Sequence, residues 1–224
     1  MGEMIKLTAA DGFEFSAYKA SPDGEIKGRV VVIQEIFGVN IHIREVCDGY
    51  AEAGFIAAAP ALFDRVEPGI ELGYEGDDMV RGVEIARGKL QMPDALADTQ
   101  AAVNHLAGDG KVGLVGYCFG GLIVWLSACG LENVCCASGY YGGGIAQAID
   151  QTPKVPTILH FGELDAHIPM TDVDAIRQAH PDVDVFVYDA DHGFNCDHRA
   201  SYNAPAAQLS RERTLDFFTS QLTA

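Results

Sequence analysis

The segment Val-Gly-Tyr-Cys-Phe-Gly-Gly at residues 115–121 gives the strongest indication of the fold of this chain. Cys118 stands at the centre of a Gly-x-nucleophile-x-Gly pattern, in the position that serine usually occupies. In this pattern a strand turns sharply into a helix, and the central residue is held in a strained backbone conformation. Gly116 and Gly120 lack the Cβ atoms that would collide across the turn. The stretch therefore predicts a nucleophile elbow with a cysteine at its tip.

The segments on either side of this stretch fit a strand before the turn and a helix after it. Residues 111–115 begin with lysine and continue as a short apolar run, and residues 122–126 are apolar throughout. The first run is typical of a buried strand, and the second suits the buried face of a helix. The elbow is therefore expected at the junction of a strand and a helix.

The rest of the chain is predicted to consist of strands that alternate with helices. An opening hairpin is expected from residues 5–8 and 13–20, with Asp11-Gly12 at its turn. Further strands are predicted at residues 29–34, 56–59, 134–140, 155–161 and 183–188, and helices at residues 41–53, 95–106 and 205–222. Residues 64–91 are acidic and rich in glycine, and we expect an irregular cap over the site there. This order predicts an α/β fold whose mostly parallel sheet is covered by helices on both faces.

Two residues that can complete a catalytic triad follow Cys118 along the chain. Asp165 and His192 each lie in the loop just after a predicted strand. Nucleophile, acid and base then follow in the chain order of the α/β-hydrolase triad, each at the C-terminal end of a strand. Asp189 and Asp191 are alternative acids. Because residues so close to the histidine in the chain rarely reach its Nδ1 atom, Asp165 is favoured.

The chemistry of these side chains assigns a role to each. A thiolate is a strong nucleophile and a thiol a poor one, so Cys118 needs a base within hydrogen-bond reach. His192 can take the thiol proton and later give a proton to the leaving group. Asp165 is expected to accept a hydrogen bond from the other ring nitrogen and to stabilise the imidazolium. The three residues predict a two-step acyl transfer through a thioester.

The chain resembles the dienelactone hydrolases, also called carboxymethylenebutenolidases, nearly from end to end. The matching segments are residues 31–40, 111–121, 161–165, 192–194 and 212–218. The resemblance implies an α/β-hydrolase fold and a triad of Cys118, Asp165 and His192. It also implies that the protein hydrolyses dienelactone, a small enol lactone that carries a carboxylate, to maleylacetate without a cofactor.

Glu35 stands at the C-terminal end of a strand that is expected to neighbour the elbow strand. A glutamate at a strand end is usually solvated, but the resemblance places this one against the thiol of Cys118. A carboxylate beside a cysteine disfavours the thiolate, so Glu35 is expected to keep the resting enzyme unreactive. The backbone N–H groups of Ile36 and Phe119 are expected to form the oxyanion hole.

An anionic substrate needs a cation in its pocket, and arginine suits a carboxylate best. The candidates are Arg81 and Arg87 in the expected cap and Arg199 after the histidine loop. In the family one arginine stands close to the position of Arg81, and a second stands four residues past the catalytic histidine. This chain has Cys196 at that second position, and Arg199 is the nearest arginine. Arg81 and Arg199 are therefore predicted to bind the substrate carboxylate, while the exact lactone stays open.

The composition favours a solvated globular protein. The 224-residue chain carries 32 acidic and 15 basic side chains, a formal net charge of −17. This charge repels nucleic acid and anionic lipid. No apolar run approaches the roughly 18 residues of a membrane span, and the N-terminus lacks the apolar core of a signal peptide. We expect one domain over residues 1–224, in a monomeric cytoplasmic protein whose partner is a small anionic lactone, with neither nucleic acid nor membrane as a partner.

The cysteines and histidines outside the triad are expected to be structural. The six cysteines are irregularly spaced in a chain that needs no covalent staples, so free thiols are predicted. Four of them are expected to be buried as small hydrophobic groups: Cys47, Cys129, Cys135 and Cys136. The Cys196-Asp-His198 segment offers metal ligands, but its spacing is not that of a zinc site, so no metal is predicted. His42 and His105 are expected on helix surfaces.

Three other functions remain open at this point. The nearest is an esterase or thioesterase that uses the same triad on a different ester. A non-catalytic binding module on a hydrolase scaffold would show a broken triad, whereas this triad is intact. A thiol oxidoreductase would be expected to carry a Cys-x-x-Cys motif, and the sequence has none.

Overall fold

The computed structural model describes residues 2–108 and 110–222, and its centre is an eight-stranded sheet. The strands are β1 (Glu3–Thr8), β2 (Glu14–Ala20), β3 (Gly28–Ile33), β4 (Phe55–Pro60), β5 (Val112–Tyr117), β6 (Val134–Tyr140), β7 (Thr157–Gly162) and β8 (Asp184–Tyr188). Their order across the sheet is β1-β2-β4-β3-β5-β6-β7-β8. The pairs β1–β2 and β2–β4 are antiparallel, and every later pair is parallel. The predicted hairpin and mostly parallel sheet are confirmed.

Six α-helices connect or cover the strands of the described residues. They are α1 (Ile41–Glu52), α2 (Gly76–Glu84), α3 (Met92–Ala107), α4 (Phe119–Gly130), α5 (Met170–Ala179) and α6 (Ala204–Leu222). Two 3₁₀ turns, Leu62–Arg65 and Ile145–Ala148, and a π turn, Ile85–Lys89, complete the regular structure. In the part of the chain that the structure describes, no helix combines the length and the apolar character needed to cross a bilayer.

The hydrophobic core lies in two layers, one on each face of the sheet. Successive side chains of a strand point to opposite faces. Accordingly, Val30 and Val32 of β3 belong to the layer that contains buried residues of α1 and α6. Val31 and Ile33 belong to the layer that contains buried residues of α3 and α4. Both faces of the sheet are therefore covered, as the alternation of strands and helices predicts.

The strand order brings the site residues predicted from the sequence to the C-terminal ends of the parallel strands. Chain order reverses in the middle of the sheet, with β3 and β4 on one side of β5 and β6, β7 and β8 on the other. In such sheets ligands bind at the C-terminal ends of the strands, beside the point of reversal. The loops that follow β3, β5, β7 and β8 carry Glu35, Cys118, Asp165 and His192.

One expectation about the connections was wrong, and one helix was not predicted. Residues 64–91 are not irregular throughout, because α2 and the π turn occupy residues 76–89. Gly76 and Gly82 hide this helix in the sequence, whereas the acidic Asp77 and Asp78 in its first turn stabilise it through the helix dipole. Helix α5 was not predicted at all. Only Val173 and Ile176 of α5 are buried, so its apolar stripe is too narrow to stand out.

The segment that contains α2 lies against the loop that follows β3. The backbone N–H of Leu72 donates to the carbonyl of Phe37 at 2.9 Å. Gly82 approaches the carbonyl of Ile36 so closely that a Cβ atom at Gly82 would overlap it. The loop that carries Glu35 and Ile36 is therefore covered from outside by this segment.

The first prediction concerns the contact between α4 and β3. A Cβ atom at Gly120 would overlap the carbonyl of Ile33 and lie 2.6 Å from that of Gln34. Because these atoms are backbone, Gly120→Ala is expected to lower the free energy of unfolding by about 1–3 kcal/mol. Gly130→Ala is the matched control, since nothing lies within 4 Å of the added Cβ in the same helix. Urea unfolding should show the control within about 0.5 kcal/mol of wild type, and equal midpoints for both variants would contradict the argument.

Candidate active site

Cys118 lies at the turn between β5 and α4 with φ 55° and ψ −114°. This backbone conformation is uncommon for a residue with a side chain, and such strain clusters at functional sites. The Cys118 N–H donates to the carbonyl of Tyr140 at 3.0 Å, and the Cys118 carbonyl accepts from the N–H of Gly121 at 2.9 Å. A Cβ atom at Gly116 would overlap the carbonyl of Gly120. The elbow predicted from the sequence is confirmed.

His192 lies between the thiol and an acid. Its Nε2 atom is 3.1 Å from Cys118 Sγ, and its Nδ1 atom is 2.7 Å from Asp165 Oδ2. The second oxygen of Asp165 accepts from the backbone N–H of His167 at 2.8 Å. Asp165 is thus fixed on both oxygens and presents one of them to the imidazole. The three side chains form the nucleophile–base–acid chain that acyl transfer requires.

The surroundings of His192 favour its charged form. The side chain of His192 is 12% exposed and that of Asp165 is 1% exposed. Burial opposes a charge on the ring, but the hydrogen bonds and charges of Asp165 and Cys118 raise the pKa of His192 to about 10. A protonated ring donates from both nitrogens. Near neutral pH the site therefore favours an imidazolium beside Cys118 Sγ.

In the described part of the chain, neither Asp189 nor Asp191 forms a hydrogen bond to the imidazole ring of His192. Asp191 Oδ1 accepts from the backbone N–H of His192 at 2.6 Å, which fixes the loop and not the ring. The backbone carbonyl of Asp189 accepts from Asn203 at 3.0 Å. The geometry thus assigns the place of the acid to Asp165.

Glu35 is buried beside the triad and is paired with arginine. It is 1% exposed, and its Oε1 atom lies 3.2 Å from Nη1 of Arg199. Its Oε2 atom is buried without a hydrogen-bond partner among the described residues. The hydrogen bond of the Cys118 thiol goes to His192. Glu35 therefore lies where the sequence places it, but its contact is with Arg199, and its effect on the thiol stays a prediction.

Arg199 lies next to His192, where the sequence predicts a cation that binds the substrate. Its side chain is 15% exposed and its guanidinium fills the space beside Gly193, the residue after His192. The rings of Phe37 and Tyr74 lie 5.8 and 5.9 Å from the guanidinium carbon, within range of cation–π attraction. Among the described residues its guanidinium makes one side-chain hydrogen bond, to Glu35. Its remaining N–H groups are available to a ligand.

Arg81 has a different environment. It lies on α2 with its side chain 44% exposed, and its Nη2 atom is 2.7 Å from Glu67 Oε2. No contact between Arg81 and the triad is present in the described part of the chain. The neighbouring Gly82 packs against the carbonyl of Ile36, so Arg81 belongs to the covering segment. Its role in substrate binding stays a prediction.

The two expected oxyanion donors come from adjacent backbone segments. Ile36 follows β3, Phe119 opens α4, and the close approach of Gly120 to the end of β3 brings these segments together. Within the described residues, neither amide takes part in the hydrogen bonds of turns and loops. Two backbone N–H groups near the nucleophile can stabilise a developing oxyanion.

Two residues near the triad were missed or misplaced by sequence reasoning. Tyr141 has φ 36°, its ring centroid is 5.1 Å from that of His192, and its buried hydroxyl has no described partner. Its position just after β6, at the same sheet edge as the triad, is the signal that could have found it. His42 was expected on a helix surface and is 3% exposed, because the loop after His192 covers that turn of α1 through Asp197. Burial lowers the pKa of His42.

The other cysteines are free and differ from Cys118 in environment. Cys47, Cys129 and Cys136 are buried as expected, while Cys135 is half-buried. Burial raises the pKa of Cys129 to about 11. Burial also raises the pKa of Cys196 to about 12, which disfavours its thiolate form.

Comparison with known proteins gives consistent matches. The model of the dienelactone hydrolase family matches residues 15–222. A carboxymethylenebutenolidase of Pseudomonas putida is 33% identical over 225 residues, covering 96% of this chain and 95% of that protein. A Synechocystis sp. protein, provisionally named a carboxymethylenebutenolidase, is 38% identical over 213 residues, covering 86% of each chain. The crystal structure of a provisionally named dienelactone hydrolase of Klebsiella pneumoniae has a TM-score of 0.81 at 30% identity, covering 96% of this chain and 98% of that one.

The second prediction concerns the thiolate. Since the pKa of His192 is raised to about 10, the imidazolium beside Cys118 Sγ persists through neutral pH. His192→Gln removes this positive charge, and an opposite charge at hydrogen-bond distance favours the thiolate form of a cysteine. Alkylation of Cys118 by iodoacetamide at pH 7 is therefore expected to slow by about tenfold or more in His192→Gln.

The measurement is the labelling rate of the peptide that contains Cys118, followed by mass spectrometry. His105→Gln is the control, because His105 is exposed on α3. It should label at the wild-type rate. Wild-type labelling in His192→Gln at pH 7 would show that the imidazolium does not support the thiolate.

Proposed function

The chain belongs to the dienelactone hydrolase family, and from this premise we propose that it opens small enol lactones that carry a carboxylate, with dienelactone to maleylacetate as the reaction. The protein is a lactone or ester hydrolase with an α/β-hydrolase fold. The proposal adds the substrate and the use of Cys118 as the nucleophile. The observation that carries it is the continuous hydrogen-bonded chain Cys118–His192–Asp165, with Arg199 held beside the base by Glu35.

In the first step, Cys118 attacks the lactone carbonyl. A bond forms between Sγ and the carbonyl carbon, and the carbonyl oxygen becomes an oxyanion that the N–H groups of Ile36 and Phe119 stabilise. The ring C–O bond then breaks, and the His192 imidazolium donates its Nε2 proton to the departing oxygen. The product of this step is a thioester on Cys118 and a neutral His192.

In the second step, water hydrolyses the thioester. Neutral His192 takes a proton from water as the oxygen attacks the thioester carbonyl. The C–S bond breaks, the acid product leaves, and the thiolate–imidazolium pair is restored. Asp165 holds the ring in the orientation that both proton transfers need.

The leaving group and the nucleophile suit one another. An enolate is a good leaving group, and a thiolate is a nucleophile that needs one. Amides have poor leaving groups, so they are expected to be poor substrates. Enol esters and lactones are therefore the favoured class.

The substrate carboxylate is assigned to Arg199. Arginine binds carboxylates with two parallel N–H groups, and only one hydrogen bond of this guanidinium is used in the described structure. Glu35 neutralises the cation in the free protein, which keeps a buried charge paired. Arg81 is proposed as a second cation, which would have to exchange Glu67 for the substrate.

The third prediction tests the nucleophile. Cys118→Ala is expected to abolish lactone hydrolysis, and Cys118→Ser to retain little of it, because an alcohol needs much stronger assistance from the base than a thiol. Initial rates on an enol lactone measure both. Cys135→Ser is the control, since this half-buried thiol lies at the opposite end of the parallel strands, near the start of β6. Full activity in Cys118→Ala would remove Cys118 from the mechanism.

The fourth prediction tests substrate charge. Arg199→Ala is expected to lower kcat/KM for carboxylated lactones by about ten- to a hundredfold more than for neutral aryl esters, because a charge-assisted contact is lost. Arg81→Ala should act in the same direction if Arg81 reaches the substrate. Arg177→Ala is the control, since Arg177 lies in an exposed ion pair with Asp174.

The outcome separates substrate recognition from packing. Equal losses on anionic and neutral substrates in Arg199→Ala would indicate a packing defect and would argue against a carboxylated substrate. A protein that hydrolyses only neutral esters, with an unchanged preference in Arg199→Ala, would be an esterase of other specificity.

A further inference from the structure

A trio of side chains with metal-ligating atoms is buried beside the triad. Glu35, His42 and Cys196 offer an oxygen, a nitrogen and a sulfur that all lie within 4.8 Å of one another. Their exposed fractions are 1%, 3% and 0%. The three residues come from the loop after β3, the first turn of α1 and the loop after His192. The fold therefore brings three distant segments to one point.

Two atoms of this trio have unused bonding capacity. Glu35 Oε2 and His42 Nε2 are both buried without a hydrogen-bond partner among the described residues. Buried polar side-chain atoms in native proteins are almost always bonded. Two such atoms in one cluster, next to a thiol, point to a shared ligand.

The other atoms of the same side chains are already held, which fixes their direction. His42 Nδ1 lies 3.4 Å from Asp197 Oδ1, which leaves Nε2 for the trio. A carboxylate on the far nitrogen is the usual way in which proteins orient a histidine toward a metal. Glu35 is held in the same manner, with Oε1 on Arg199 and Oε2 free.

We propose that Glu35, His42 and Cys196 bind one Zn²⁺ ion. Carboxylate, imidazole and thiolate are all ligands of zinc, and three protein ligands leave a fourth position for water. Ligand atoms of a tetrahedral zinc site are roughly 3.3–3.8 Å apart, so atoms that already lie within 4.8 Å of one another need only a small adjustment to reach this geometry. The sequence predicted no metal site, and these three ligands could not be recognised as one because they are far apart in the chain.

The charges around the trio are compatible with a divalent cation. Arg199 opposes the ion, because its guanidinium lies 3.2 Å from Glu35 Oε1. The carboxylate of Glu35 and the thiolate of Cys196 offset this, since metal binding displaces the thiol proton. The bound ion would then add one net positive charge to the group formed by the trio and Arg199.

An exposed cleft reaches one member of the buried trio, His42. The cleft has a volume of about 530 Å³ and is lined by His42, Glu45, Asp197 and His198, among others. These four residues form a second group of possible ligands at the surface. His198 is already hydrogen-bonded to Glu45 at 2.6 Å, so this group is internally paired. It offers an acidic approach to His42, and the buried trio offers Glu35 Oε2 and His42 Nε2, which have no hydrogen-bond partner among the described residues.

The test is zinc binding by the reduced, full-length protein. Zn²⁺ is titrated in competition with a chromogenic chelator, and Co²⁺ is used as a spectroscopic substitute. Wild type is expected to take up one ion and to show the near-ultraviolet sulfur-to-cobalt charge-transfer band. Cys196→Ser should lose the band and weaken zinc binding by at least about tenfold. A thermal unfolding curve of Cys196→Ser shows that the variant is folded.

Two control variants separate the trio from its neighbours. His198→Gln removes a ligand of the surface group, and Cys118→Ala removes the thiol of the triad; both should bind zinc as wild type does and keep the cobalt band. The proposal is overturned if wild type takes up no zinc, if Cys196→Ser binds as tightly as wild type, or if His198→Gln or Cys118→Ala alone abolishes binding. Cys118 is not a ligand, so the result does not depend on the proposed lactone hydrolysis.

Discussion

The contact between the start of α4 and the end of β3 is the constraint on which the active site depends. Gly120 lies so close to the carbonyls of Ile33 and Gln34 that no side chain fits between them. This approach holds Cys118 at positive φ above the sheet and sets Phe119 beside the loop that carries Ile36. Cys118 and the backbone N–H groups of Ile36 and Phe119, the expected oxyanion donors, are thus positioned by backbone contacts, which do not depend on side-chain rotamers. The triad histidine and acid are then added from the far half of the sheet.

The electrostatics of the site depend on closely spaced groups of opposite charge. The carboxyl group of Asp165 lies against the imidazolium of His192, and that of Glu35 lies against the guanidinium of Arg199, all of them largely buried. Each buried charge has an opposite partner, which is the condition under which such charges are tolerated in an interior. The two cations lie on one loop, while the two anions come from other strand ends. The local charge of the site therefore differs from the net charge of −17 of the whole chain.

The sequence contained most of the fold and the triad, for identifiable reasons. The elbow requires glycine at fixed positions, and the order and strand-end placement of Cys118, Asp165 and His192 are local features of the chain. The strands were located to within a few residues because their apolar residues form continuous runs or alternate with polar ones. Helix α5 and helix α2 were missed because one has a narrow apolar stripe and the other contains glycines. The pairing of Glu35 with Arg199 and the burial of His42 could not be predicted, because both depend on a long loop folding back over the sheet edge.

That loop, residues 189–203, has a consequence for how the protein can change. Consecutive backbone hydrogen bonds from Cys196 to Gly193, from Arg199 to Cys196 and from Tyr202 to Arg199 wind it into linked turns. His192 and Arg199 therefore lie on one short hydrogen-bonded loop. We expect a substitution in these turns that repositions Arg199 to move His192 as well, so that it changes the proposed substrate preference and the turnover together. The segment at residues 64–91, which contains α2, carries no triad residue. It is the part of the chain through which a new specificity can evolve while the reaction itself is preserved.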